Sequence, residues 1–151
     1  MNIAIVGATG NVGRKIIEVL ERKNFSVTNL YLLASAKSSG VKIKFKDREI
    51  EVSDLENFDF SKADITFFSA GGKISEKYVS AAAKHTVVID NSSYFRMDPD
   101  VPLIVPQVNS KEIKNMKKNI LANTNCSTAQ LVIVLKNLNY NFKIKRLLIS
   151  N

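Results

Sequence analysis

Residues 2–20, NIAIVGATGNVGRKIIEVL, leave the fold little freedom. NIAIV is a short apolar run rich in β-branched residues, the mark of a buried strand. Over residues 12–23 the period changes, with Val12, Ile16, Ile17, Val19 and Leu20 at helical spacing and Arg14, Lys15, Glu18 and Glu21 between them. Gly7, Gly10 and Gly13 join the two segments. Such a turn lets main-chain N–H groups approach an anion at the helix N-terminus, where the pyrophosphate of a dinucleotide sits. Tight turns need glycine anyway, so the triplet alone says little. In the first strand–helix turn of an alternating chain it says much more. The candidate contacts are Gly7, Thr9, Gly10, Asn11, Val12 and Gly13, with Thr9 and Asn11 adding polar donors.

The rest of the chain does alternate. Strand-like segments fall at 29–34, 41–45, 49–52, 64–70, 86–90, 103–106, 120–122 and 145–150. Helices are expected at 75–84, at 110–118 with Ser110 as cap, and at 126–137. This pattern predicts an α/β chain with a Rossmann-like, doubly wound, mostly parallel sheet and helices on both faces. The expected division is a dinucleotide-binding domain over 1–125, then a nucleophile-bearing helix opening a further domain over 126–151. A chain that stops in an apolar strand-like run reads as a piece of something longer.

The end of the second strand discriminates between cofactors, because an acid there favours NAD and a cation favours the 2′-phosphate of NADP. The stretch LYLLASAKSSG holds no acid and offers Ser35, Lys37 and Ser38. NADP is therefore expected. A Tyr-x-x-x-Lys pair is missing from the nearest candidate: Tyr78 and Lys84 stand six apart and misalign on a helix. His85, the only histidine, follows that helix and reads as a helix-end cation.

A formal charge of +8 raises the question of nucleic acid. The basic runs KIKFKDR, KEIKNMKK and KIKR are scattered and carry no aromatic stacking platform, so no nucleic-acid partner is expected. No stretch approaches the ~20 apolar residues of a membrane span, and the opening lacks the basic start of a secretory leader. No metal is expected. The lone cysteine, Cys126, cannot form an internal disulfide, so a cytoplasmic setting is the default.

Cys126 stands where the polar turn ANTN meets a helix-like apolar run. Cysteine is commonly a small buried hydrophobe. At a helix N-terminus it is instead exposed and favoured as thiolate, the form that attacks carbonyl carbon.

These landmarks occur together: GATGNVGR at 7–14, ASAKSSG at 34–40, FFSAGG at 67–72, VIDNSSYFRMDPDVPLIVPQVN at 88–109 and ANTNCSTAQLV at 122–132. In that order they resemble the aspartate-semialdehyde dehydrogenase family over essentially the whole chain. The resemblance implies NADP-dependent reductive dephosphorylation of L-aspartyl 4-phosphate through a thioester on Cys126. It implies that Arg96 binds the phosphoryl group or phosphate and that Asn125 helps hold substrate. Gly71, inside FFSAGG, joins the cofactor contacts. A cytoplasmic homodimer is implied, with a second domain that completes the active site and supplies the proton acceptor. For Arg96 the residues alone leave a surface salt bridge with Asp98 or Asp100 equally open. N-acetyl-glutamyl-phosphate reductase shares the chemistry, but NTNCST fits it less well. A stand-alone NADP-binding module is the competing reading from another class.

Three positions depart from the family pattern. Thr124 stands where proline is usual and is expected to loosen the turn before Cys126. Gln107 stands where glutamate is usual. Lys37 replaces an arginine, keeping charge without the guanidinium fork.

Overall fold

The structure is a computed structural model that describes residues 1–149. Eight strands form one sheet: β1 (Asn2–Val6), β2 (Asn29–Ala34), β3 (Lys42–Phe45), β4 (Arg48–Asp54), β5 (Ile65–Phe68), β6 (Val87–Asp90), β7 (Leu103–Ile104) and β8 (Ile120–Asn123). Their spatial order is β3-β4-β2-β1-β5-β6-β8-β7, and only the β3–β4 hairpin is antiparallel. The run β4-β2-β1-β5-β6-β8 is a doubly wound order, which starts in the middle and proceeds outward in both directions. Its switch point falls between β1 and β5, and ligands of such sheets bind in the crevice there.

Alternate side chains of β1 feed two cores. Ile3 and Ile5 pack with Ile17 and Leu20 of helix α1 (Asn11–Arg22), whereas Ala4 and Val6 pack with Val79 and Ala82 of α2 (Gly72–Ala82). The sheet therefore carries helices on both faces, as the alternation predicts. Burial on both sides explains why these strands read as continuous apolar runs.

Several expected elements differ. Helix α2 begins at Gly72, because Gly71 takes φ +89° and turns the chain before it. Residues 110–118 do not form a capped α-helix: α3 (Pro106–Asn109) comes first, then a 3-10 segment over Ser110–Asn115. The Asn109 side chain, rather than Ser110, stabilises the entry by accepting from the Val105 N–H at 2.9 Å. No residue of that segment is buried, so nothing rewards a longer helix. Helix α4 (Cys126–Phe142) starts as expected and runs five residues further than the expected end at 137. The strand expected at 145–150 does not form over 145–149, and Ser150 lies outside the described residues. Propensity makes a strand only where a neighbouring strand pairs with it, and residues 145–149 pair with none among the described residues.

Candidate active site

A cleft of about 660 Å³ opens at the carboxyl ends of the central strands. That is within the size of small-molecule sites. Its floor is Val6, Gly7, Thr9 and Gly10 after β1, facing Ser69 and Ala70 after β5. Gly7 has φ +86°, and a β-carbon there would meet the Ser69 carbonyl carbon at 2.9 Å. A β-carbon on Gly13 would overlap the Gly7 carbonyl oxygen, so α1 is seated directly against the turn. The first turn of α1 has no side-chain cap and no acidic residue. Uncapped helix N–H groups at a glycine cradle suit a dinucleotide pyrophosphate.

Ser35 and Lys37 line the side wall, on the turn that follows β2. Lys37 makes no ion pair among the described residues. The cleft is also lined by Asp54, Leu55, Glu56, Ile74, Lys77 and Tyr78, of which only Tyr78 figures in the sequence reading, as a residue out of step with Lys84. Asp54 arrives because β4 pairs parallel to β2, with Ala34 opposite Asp54. Both acids are engaged within the protein. Asp54 accepts from the Glu56 N–H at 3.2 Å, and Glu56 accepts from Lys77 at 3.2 Å and from the Tyr78 hydroxyl at 3.4 Å. Tyr78 first and Glu56 second hold the Lys77 ammonium above its ordinary value of 10.5.

Not every expected cofactor residue reaches this cleft. Asn11 and Val12 line a separate apolar groove between α1 and β5 with Lys15, Ile16 and Phe67. Gly13 supports the turn from beneath, Gly71 precedes α2, and Ser38 closes the turn after β2 through its N–H to Ser35 O at 2.8 Å.

Cys126 is exposed at the first position of α4. It follows β8 on the same sheet edge, three strand spacings or roughly 14 Å from the glycine turn. Asn125 caps α4: its Oδ1 accepts from the Ser127 N–H at 3.0 Å and the Ser127 hydroxyl at 2.7 Å. Only its Nδ2 is left to face a ligand. In the turn before the cysteine the Thr124 hydroxyl donates to the Asn125 carbonyl at 2.8 Å.

Arg96 reaches this turn from the loop after β6. Its Nε donates to the Asn123 carbonyl at 2.9 Å and its Nη2 to the Asn91 carbonyl at 3.1 Å. Asp98 and Asp100 take no part, since Lys118 pairs with both, at 3.1 and 3.5 Å, and Lys117 with Asp100 at 3.1 Å. The half-buried guanidinium has no carboxylate partner among the described residues, and its Nη1 is unbonded there. The fully buried Asp90 secures the loop, accepting from Ser92 N–H, Ser92 Oγ and Ser75 Oγ at 2.9, 2.7 and 2.8 Å. Gln107 is exposed in α3, and its carbonyl accepts from Lys136 of α4 at 2.7 Å.

Among the described residues no three metal-ligating side chains cluster, and no helix is long and apolar enough to cross a membrane.

Strand order, glycine cradle and switch-point cleft define a dinucleotide-binding α/β protein. Residues 2–116 match the model of the semialdehyde dehydrogenase NAD-binding domain, and the chain belongs to that family. The aspartate-semialdehyde dehydrogenase of Helicobacter pylori is 48% identical over 151 residues, covering 99% of this chain and 44% of the relative. Aspartate semialdehyde dehydrogenase II of Vibrio cholerae, solved in complex with ASA, superposes with a TM-score of 0.93 at 46% identity, covering 96% of this chain and 48% of that one. The Candida albicans enzyme, solved with NADP, gives 0.68 at 27% identity, with 95% and 48% covered. The resemblance in the motifs holds, and the chain spans a little under half the length of these relatives.

Proposed function

We propose that the chain is the NADP-binding, nucleophile-bearing part of an enzyme that reduces L-aspartyl 4-phosphate to L-aspartate 4-semialdehyde and phosphate. This reaction serves formation of lysine, diaminopimelate, threonine and methionine. Residues 1–125 form the cofactor domain, and 126 onward opens the catalytic and dimerisation domain. The enzyme is a cytoplasmic homodimer that acts on small molecules rather than nucleic acid.

The observation that carries this reading is the exposed Cys126 at the start of α4, beside an Arg96 that has no carboxylate partner among the described residues. The Cys126 sulfur attacks the acyl carbon of aspartyl phosphate. A C–S bond forms, the C–O bond to phosphate breaks, and the electron pair leaves with phosphate. Arg96 Nη1 receives that anion, a role suited to a guanidinium. Asn125 Nδ2 holds the substrate carbonyl region.

The cradle at Gly7, Thr9, Gly10 and the start of α1 would hold the pyrophosphate, with Ser35 and Lys37 toward the 2′-phosphate. Asn11, Val12 and Gly13 contribute as that helix start, through their main-chain N–H groups, and Ser38 and Gly71 complete the cofactor contacts. When bound, NADPH supplies hydride to the acyl carbon, and the sulfur is the leaving group. The NADP in the Candida relative and Lys37, which makes no ion pair among the described residues, support this cofactor.

The test is Cys126→Ser in the complete gene product, assayed by NADPH oxidation with aspartyl phosphate. Turnover is expected to fall at least ~10³-fold, since the hydroxyl is far less nucleophilic than the thiol, while NADPH still binds. Unchanged turnover removes the thioester mechanism. Preference for N-acetyl-glutamyl phosphate reassigns the substrate, and NADPH binding without any reduction leaves a binding module.

A further inference from the structure

The mechanism leaves two side chains beside the site unused, Asn91 and Asn123. Their amides meet across the sheet: Asn123 Nδ2 donates to Asn91 Oδ1 at 2.8 Å, and Asn91 Nδ2 donates to the Phe68 carbonyl at 3.3 Å. Both bonds lie at the carboxyl edge, where the β5–β6 pairing ends at Phe68–Asp90 and the β6–β8 pairing ends at Asp90–Ala122. A side-chain strap thus ties the ends of β5, β6 and β8. The main chains of the same two residues carry Arg96, through Asn123 O at 2.9 Å and Asn91 O at 3.1 Å.

A guanidinium is a rigid planar fork, so two fixed acceptors determine its orientation. Here the two acceptors belong to residues whose side chains bond to each other. Slack in the amide pair becomes error in the aim of Arg96. It also reaches Cys126, three residues after Asn123. Cross-strand side-chain bonds usually serve stability alone; this pair is distinguished because its own two main-chain carbonyls hold Arg96, a cation with no carboxylate partner among the described residues.

We propose that Asn91 and Asn123 are positioning residues, an amide clamp that aims Arg96 at the leaving phosphate and sets its distance from Cys126. The clamp rests on the reading of Arg96 as the phosphate ligand. The test uses the complete gene product in the aldehyde-oxidising direction, with inorganic phosphate as the probe. Asn123→Ala is expected to raise the phosphate KM roughly 10-fold, as small misplacements do, with kcat lowered less and the NADPH Kd unchanged within about twofold. The same variant weakens protection of Cys126 by phosphate against iodoacetamide. Should Asn123→Ala not fold, Asn91→Ser removes the clamp from the other side and carries the same expectation. A phosphate KM equal to wild type overturns the clamp, and so does a parallel loss of kcat, phosphate and NADPH binding. If phosphate neither protects Cys126 nor supports turnover in the wild type, the reading beneath it falls instead and takes the clamp with it.

Discussion

Gly13 lies against the carbonyl oxygen of Gly7 with no room for a β-carbon between them. The contact seats the N-terminal end of α1 on the turn after β1, whose Gly7, Thr9 and Gly10 line the cleft. The obstructing atom is backbone and cannot rotate away. Gly13→Ala is therefore expected to destabilise the fold by about 1–3 kcal/mol, the cost of overpacking. That is a fall of roughly 2–4 °C in Tm per kcal/mol, with weakened NADPH binding. Gly40 is the control. It has φ +86° with nothing within 4 Å of its β-position, so Gly40→Ala costs only backbone strain of roughly 1–2 kcal/mol and spares NADPH. Equal loss of NADPH affinity in both variants would falsify the seating argument.

Lys37 stands on the cleft wall with no ion pair among the described residues, whereas Asp54 and Glu56 of the same cleft are engaged by protein donors. A free cation beside two occupied acids favours an extra phosphate. Lys37→Glu is expected to weaken NADPH roughly 10- to 100-fold, about 1.4–2.7 kcal/mol, and NADH much less. The difference shrinks with added salt, as it does between exposed charges. Titration of both cofactors at two ionic strengths decides it, and equal losses argue against a 2′-phosphate role for Lys37.

How much of this was legible follows from where the information lies. The strand at residues 2–6 and the helix after it were readable because apolar period and glycine placement are local. The acid at Asp54 was not. It enters the cleft only because β4 lies beside β2 rather than at a distance, a matter of strand order. Lys77 was passed over, and Tyr78 was weighed only against Lys84, for a similar reason, since their facing depends on where α2 begins. The sequence left Arg96 undecided between a phosphate and its own near neighbours Asp98 and Asp100. Lys117 and Lys118, some twenty residues on, take those carboxylates, and no local pattern shows that. Asn91 and Asn123 lie inside quoted motifs, yet their link is a cross-strand contact.

Arg96 bonds two carbonyls at once, and a lysine ammonium on a flexible stem cannot reproduce both directions. Arg96→Lys keeps the charge but loses the aim. The phosphate KM is expected to rise about 10-fold in Arg96→Lys, roughly 1.4 kcal/mol, and further in Arg96→Met, with NADPH affinity held. If lysine performs as well as arginine, the charge alone suffices and the fork has no role.

The cap that Asn125 makes and the substrate contact proposed for it can be separated. Its oxygen caps α4, and its Nδ2 is the part left for substrate. Asn125→Ala is expected to cost about 1 kcal/mol through loss of the cap. Asn125→Ser keeps a capping oxygen and so recovers most of that loss in thermal unfolding, but offers no amide. Its KM for aspartyl phosphate should remain raised. A serine variant with wild-type KM would show that Asn125 acts as a cap only.

The Asp98 carboxylate accepts from the main-chain N–H of Asp100 at 2.9 Å and from Lys118 at 3.1 Å. The first contact and then the second hold its pKa below the ordinary 3.8 in the folded chain. A carboxyl with a depressed native value binds protons more readily when unfolded, so its contribution is complete above the unfolded value. It is lost as pH falls through the lower native value. Asp100 is shifted the same way, by Lys117 first. Both groups are partly exposed, so the effect is modest and weakens with salt. Asp98→Asn is therefore expected to lower Tm at pH 7 and to flatten the fall in Tm between about pH 4 and pH 2, the range below the ordinary carboxyl value. Scans of both proteins at pH 7, 4 and 3 test it. Parallel curves would mean that the loop after β6 is held without help from this carboxylate.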